Sequence, residues 1–142
     1  MMSKLKILIA EDDKTTRTFY DKALDDEVFE KRFETDGEEA LNAYKSWKPD
    51  ILVLDIMMPG ISGYTVLKTV RIQEKDQSVT IIMATSMDKE EDVKACLELG
   101  IQGYLVKPVD FKGAGERILS WYRSHKQAQA EAEGEQSKGG SG

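Results

Sequence analysis

Two stretches of the chain set carboxylates where an apolar run stops. In "KILIAEDD", residues 6–13, four apolar residues run straight into Glu11, Asp12 and Asp13. In "DILVLDIMMPGISG", residues 50–63, a second apolar run ends at Asp55. Two further runs, "VTIIMA" at 79–84 and "GYLV" at 103–106, are followed by Thr85 and Ser86 in one case and by Lys107 and Pro108 in the other. Carboxylates gathered without histidine or thiolate make a hard oxygen site, suited to Mg²⁺ with several of its waters retained. A carboxylate beside such an ion can attack a phosphoryl group and form an acyl phosphate. The charge on the phosphoryl oxygens then needs partners, which the metal, the Lys107 ammonium and the Thr85 hydroxyl can supply.

Each residue also has a plainer role. Asp13 stands ahead of a helical pattern, where an aspartate serves as N-cap. Asp55 suits an Asx-turn, Thr85 is an ordinary β-branched strand residue, and Lys107 alone reads as a solvated lysine. Jointly these readings fail. Unpaired carboxylates in one place repel, and some would have to take up protons. Nothing structural calls for acids, a hydroxyl and a lysine on one rim.

The elements that must position them follow from the pattern. Ile and Leu runs without alternation suit strands buried on both faces, at 6–10, 50–54, 79–84 and 103–106. A weaker one, "VFEKRF" at 28–33, alternates apolar with charged residues and reads as an edge strand. Helical spacing fills 14–26, 37–47, 64–75, 89–99 and 111–125. Asp36 with Glu39 and Asp88 with Glu91 fit capping-box spacing, and Gly100 sits at a helix C-cap. Strand and helix alternate five times, which predicts one α/β domain, a parallel (βα)5 sheet with helices on both faces and right-handed crossovers. Ligands of such a sheet bind outside the carboxyl ends of its strands. If the first and third strands are neighbours, Asp12, Asp13 and Asp55 converge there. The domain is expected over residues 1–126. The remainder, 127–142, "QAQAEAEGEQSKGGSG", has almost nothing to bury and is expected to be a disordered tail or linker.

Composition narrows the function classes. The 142 residues are 40% hydrophobic and 32% charged with a net charge of -6, against a phosphate-tracking nucleic-acid binder. Cys96 is the sole cysteine, so an internal disulfide is excluded. No apolar run approaches the roughly 18 residues of a membrane span, and a cytoplasmic protein is the expectation. His125, the single histidine, falls near the end of the last helix and is a helix residue rather than a phosphodonor. A nucleotide or flavin site would want a glycine-rich phosphate loop, which the chain lacks.

The motifs together resemble a response-regulator receiver domain, the CheY-like family of two-component signalling. "EDD" after the first strand, "DIMMPGISG" around Asp55, "ATS" at 84–86 and "YLVKP" at 104–108 carry the resemblance, which covers roughly residues 4 to 125. It implies the family's strand order, 2-1-3-4-5, which is a property of that family and not of the spacing here. It implies Asp55 as the phosphoacceptor, and Mg²⁺ held by Asp12, Asp13, Asp55 and the backbone carbonyl of Met57. It implies Thr85 as the switch hydroxyl, Tyr104 as the switch aromatic, Lys107 as the phosphoryl-binding cation, and a cis peptide between Lys107 and Pro108. Met57 and Met87 take the positions that flank the attacking water in dephosphorylation. The partners implied are a sensor histidine kinase or histidine phosphotransfer protein and a downstream output protein, with no direct nucleic-acid or membrane contact. A phosphatase of the haloacid-dehalogenase type would need an Asp at position 57, where this chain has Met. Receivers that dimerise on DNA usually follow Lys-Pro with Phe and then a Glu-Leu pair, whereas this chain reads "KPVDFKGAGERIL". A pseudo-receiver, which no longer takes phosphate, would typically lack one of the acids or the lysine, and all are present.

Overall fold

The period-two alternation of strand side chains decides how the layers form. In β1 (Leu5–Ala10), Ile7 and Ile9 point to one face and Leu8 and Ala10 to the other, and all are buried. The same holds for β3 (Ile51–Asp55) and β4 (Thr80–Thr85), which are buried along their whole length. Strands of this kind need helices on both sides.

A computed structural model describes residues 3–86 and 90–139. Its parallel sheet runs β2 (Phe29–Glu34), β1, β3, β4, β5 (Gly103–Val106). The order is the expected 2-1-3-4-5, with the charged, alternating β2 at an edge. Among the described residues, four α-helices connect the strands, α1 (Lys14–Ala23), α2 (Gly37–Trp47), α3 (Gly63–Lys68) and α4 (Glu90–Leu99), and a fifth, α5 (Ala114–Gly139), follows β5. Ile7, Ile9, Val53 and Ile82 pack with Tyr20 and Leu24 of α1 and Ile118 of α5. Leu8, Leu52, Leu54 and Met83 pack with Ala40 of α2, Val66 and Leu67 of α3 and Cys96 of α4. Truncating any one of these leucines to alanine leaves a cavity and costs about 2–5 kcal/mol. No helix among the described residues is long and apolar enough to cross a membrane.

Caps set several boundaries. Asp36 accepts from Glu39 N at 2.8 Å and Ser62 from Thr65 N at 3.2 Å. Gly100, at φ +101°, ends α4 with its N–H on Cys96 O. The Asp88–Glu91 pairing reaches outside the described residues.

Two features depart from expectation. The helix expected over 64–75 passes from α3 into a π-helical turn at Thr69–Gln73. That turn buries Arg71, whose guanidinium donates to Gly100 O, Asp76 O and Gln102 Oε1 at 2.8–2.9 Å. Asp76 in turn accepts from Tyr44 Oη and from the backbone of Ser78 and Val79. These bonds outweigh its partial burial and hold its carboxyl below the usual range. This network ties α2, the π-turn and the start of β4 to the α4–β5 loop. The second departure is α5, which continues to Gly139 where a disordered tail was expected from Gln127. Weak hydrophobicity reports the lack of a core contact, not the lack of a helix. Alanine, glutamate and glutamine are good helix formers, and a helix already nucleated against the sheet propagates at little cost. The extension is also tied down: Gln129 Nε2 donates to Gln77 O at 2.7 Å, and Lys126 Nζ to Ser78 O.

His125 sits half-buried where α5 crosses the start of β4, sharing a 2.7 Å hydrogen bond with Thr80 Oγ1. Burial, with the charges of Lys126 and Arg71, holds its pKa below the ordinary 6.5. Above pH 6.5 the imidazole is neutral in folded and unfolded chains alike, and its full contribution is present. As pH falls from there toward the folded value, the unfolded chain takes up the proton first and stability is lost. Urea denaturation between pH 7.5 and 5 should therefore show wild type losing stability relative to His125→Gln; parallel losses in the two proteins would contradict this account.

Candidate functional site

The sheet register brings the acids together. Ala10 pairs with Leu54, so Glu11, the residue leaving β1, comes level with Asp55 at the end of β3. Both side chains are almost fully buried, at 1% and 3% exposure. Lys107, directly after β5, reaches past the end of β4 to both. Its Nζ donates to Asp55 Oδ2 at 2.7 Å and to Glu11 Oε1 at 2.8 Å. The backbone fixes the other oxygens: Met57 N donates to Asp55 Oδ1 at 3.1 Å and Asp13 N to Glu11 Oε2 at 3.2 Å. Burial alone would lower the Lys107 pKa, but its hydrogen bonds to Asp55 and Glu11 and their charges prevail and raise it. The group stays an ammonium.

Asp12 completes the cluster. Glu11, Asp12 and Asp55 each offer a carboxylate oxygen, and these lie within 4.8 Å of one another. Arg17 steadies the loop beneath them, its Nη1 donating to the carbonyls of Glu11 at 2.9 Å and Asp12 at 2.8 Å. All donors in the trio are oxygen, which fits a hard divalent cation.

Asp13 is not in that trio. Its Oδ2 accepts from Thr16 N at 2.8 Å and from Thr16 Oγ1 at 2.6 Å, so it is the N-cap of α1. These bonds from Thr16 hold its carboxyl below the usual range. The expected trio of Asp12, Asp13 and Asp55 is thus corrected to Glu11, Asp12 and Asp55. The reason is register: β1 stops at Ala10, so the first acid faces β3 while the third already begins the helix. The spacing Asp13-x-x-Thr16, an N-cap followed by its N3 partner, was the available signal.

The remaining expected residues take different places. Thr85 is fully buried at the end of β4. Tyr104, on β5, is half-buried against the core shared with α2 and α3. The Lys107–Pro108 peptide is cis. Met57 stands at the rim, 65% exposed, while Met87 lies outside the described residues. Gly63 allows α3 to start against the end of β3, since a Cβ there would lie 2.1 Å from Asp55 O. Beside Lys107 opens a cavity of about 680 Å³ walled by Phe19, Pro108, Val109 and Phe111, with Thr16 and Ser86 at its edge.

The assignment of Glu11 in place of Asp13 has a direct check by calorimetric titration with Mg²⁺. Glu11→Ala and Asp12→Ala should each weaken binding by about tenfold or more, the scale found when a metal site loses an ordering group. Asp13→Ala should leave the affinity unchanged within error and lower the unfolding midpoint through loss of the helix cap. Strong loss of Mg²⁺ binding in Asp13→Ala alone would reverse the assignment.

Residues 7–118 match the family described as response regulator receiver domain. Among curated proteins, the chain is 38% identical over 122 residues to a probable transcriptional regulator, ycf27, of Porphyridium aerugineum, covering 86% of this chain and 50% of that protein. It is 34% identical to the alkaline phosphatase synthesis transcriptional regulatory protein PhoP of Bacillus subtilis, covering 83% of this chain and 48% of the other. It thus spans about half the length of these relatives. Among solved structures, a chain of the CheX–CheY–BeF3–Mg²⁺ complex from Borrelia burgdorferi superposes with TM-score 0.74 at 34% identity, over 82% of this chain and 87% of that one. A response regulator structure from Chloroflexus aurantiacus gives 0.76 at 30% identity, over 85% and 99%. With the acids, the lysine and the sheet order in the places described, the chain belongs to the response regulator receiver domain family.

Proposed function

We propose that the domain is a Mg²⁺-dependent phosphoacceptor switch, taking a phosphoryl group on Asp55 from a phosphohistidine donor on a sensor kinase or phosphotransfer protein. The observation that carries this reading is the Lys107 ammonium bonded at once to Asp55 and Glu11, at 2.7 and 2.8 Å, at the mouth of the acid cluster. An Asp55 oxygen attacks phosphorus, the bond from phosphorus to the donor nitrogen breaks, and the nitrogen leaves with its electron pair. Glu11, Asp12, Asp55 and the Met57 carbonyl would hold the cation, which when bound offsets repulsion between the carboxylate and the incoming phosphoryl oxygens. Lys107 then passes from the carboxylate to a phosphoryl oxygen, and the Thr85 hydroxyl takes another. The similar chain crystallised with BeF3 and Mg²⁺ supports this chemistry.

The signal would leave by the α4, β5 and α5 face. As Thr85 is drawn to the phosphoryl group, Tyr104 turns into the space released, and phosphorylation favours one of two packings a few kcal/mol apart. Longer relatives, of which the matched region covers about half, are named transcriptional regulators, so the partner read by that face belongs to an output pathway of such a kind.

Acetyl phosphate with Mg²⁺ should add one phosphoryl group by intact mass, and chelation or Asp55→Asn should abolish it. Full labelling of Asp55→Asn would sink the assignment, and an unlabelled wild type would favour a pseudo-receiver that signals by binding alone. Amide exchange with beryllofluoride should change across β4, α4 and β5; unchanged protection there would count against the coupling.

Lifetime of the product is a separate matter. Met57 and Met87 carry no group to orient a water for attack on the acyl phosphate, and orientation of a nucleophile is worth about three decades in rate. Slow self-dephosphorylation is expected, with Met57→Asn and Met87→Glu decaying faster. Equal or slower decay in both variants would defeat that expectation.

A further inference from the structure

Tyr20, on the sheet-facing side of α1, is 1% exposed, and its hydroxyl meets no hydrogen-bond partner among the described residues. A phenylalanine would fill the same volume without stranding a polar group, so the hydroxyl calls for an explanation. Its direction supplies one. Side chains on a helix lean toward the helix N-terminus, and α1 begins at the acid rim, where Asp13 caps it. Tyr20 therefore leans toward the rim, near enough to Glu11 and Asp55 for their charges to act on its phenol. Phe111, edge-on to its ring at 4.9 Å and 90°, closes the side facing the cavity beside Lys107. Burial, together with the charges of Glu11 and Asp55, pushes the phenol well above its ordinary pKa of 10.0, so the group is a hydrogen-bond donor. The acceptors above it have capacity to spare. Lys107, Met57 N and Asp13 N give each carboxylate oxygen of Glu11 and Asp55 one bond, and such an oxygen takes two.

We propose that the Tyr20 hydroxyl donates from beneath, through one interior water, to the Glu11–Asp55 pair and so positions both carboxylates for the divalent cation. An interior water is the common partner of a buried polar group that the protein itself leaves unbonded. Tyr20 is then a positioning residue: it touches neither metal nor phosphoryl group but sets the orientation of groups that do. The inference rests on the reading of the site as metal-binding.

The test is Mg²⁺ titration of wild type and Tyr20→Phe by calorimetry, with circular dichroism and thermal unfolding of both. The expected result is a native-like fold and a Mg²⁺ affinity lower by about tenfold, the usual scale for loss of an outer-shell partner. Labelling by acetyl phosphate at saturating Mg²⁺ should still reach one group per chain. Unchanged Mg²⁺ affinity with a raised unfolding midpoint would overturn the proposal, since relief of an unbonded hydroxyl does only that. A high-resolution crystal structure of the wild type offers a second measurement, independent of the variant. Density for a water bonded to Tyr20 Oη and to Glu11 or Asp55 supports the proposal, and a dry contact overturns it. Failure of the wild type to bind Mg²⁺ overturns the metal-dependent reading and this inference together; wild-type binding with an unaffected variant overturns this inference alone.

Discussion

The ammonium of Lys107 between Asp55 and Glu11 is the interaction on which the site depends. Two nearly buried carboxylates side by side repel each other, and the ammonium between them supplies the counter-charge. A buried ion pair is costly to assemble, and it holds only where geometry and additional hydrogen bonds compensate desolvation. Here the compensation is specific: each carboxylate has one oxygen on the lysine and the other on a backbone N–H. Three carboxylates against one ammonium leave a local charge of -2, from Glu11, Asp12 and Asp55 less Lys107. That is the charge a divalent cation neutralises. The rim is ordered before any cation arrives, because the sheet has already placed its parts.

The opposite end of the sheet is held by different means. Arg71 bonds to carbonyls and to the Gln102 amide, whose Oε1 also accepts from Ile81 N at 2.8 Å. Tyr44, Asp76, His125 and Thr80 extend this polar belt from α2 to α5. Both ends carry polar networks, while the layers between are apolar. The division separates tasks: the lower belt fixes helices to strands, and the upper rim is left to chemistry.

How much of this was legible in the sequence depended on whether a residue type determined its own place. The Ile and Leu runs determined the strands, because unalternating β-branched segments leave no face for solvent. Asp55 and Lys107 each followed such a run directly, so their arrival at the rim was readable. Three consecutive acids were not, because any two of "EDD" could have faced β3. Only the exact end of β1 and the capping bond of Asp13 to Thr16 decide it, and strand ends are poorly marked by composition. Arg71 was hidden for a related reason. An arginine carries no mark of burial in its type, and only the carbonyls of Gly100 and Asp76 and the Gln102 amide, brought together by the fold, hold its guanidinium inside. Residues 127–139 have little to bury, which suggested disorder, yet an α-helix does not require burial and α5 runs through them.

Sheet position also divides the site unequally. The acids leave β1 and β3, which have neighbours on both sides, whereas Lys107 follows β5, an edge strand of four residues bonded only to β4. Displacing Asp55 would break ladders on two flanks; displacing Lys107 strains one. The anionic half of the site is thus anvil and the cationic half hammer. A shift at the rim meets less backbone resistance on the β5 side, where a single ladder holds the strand.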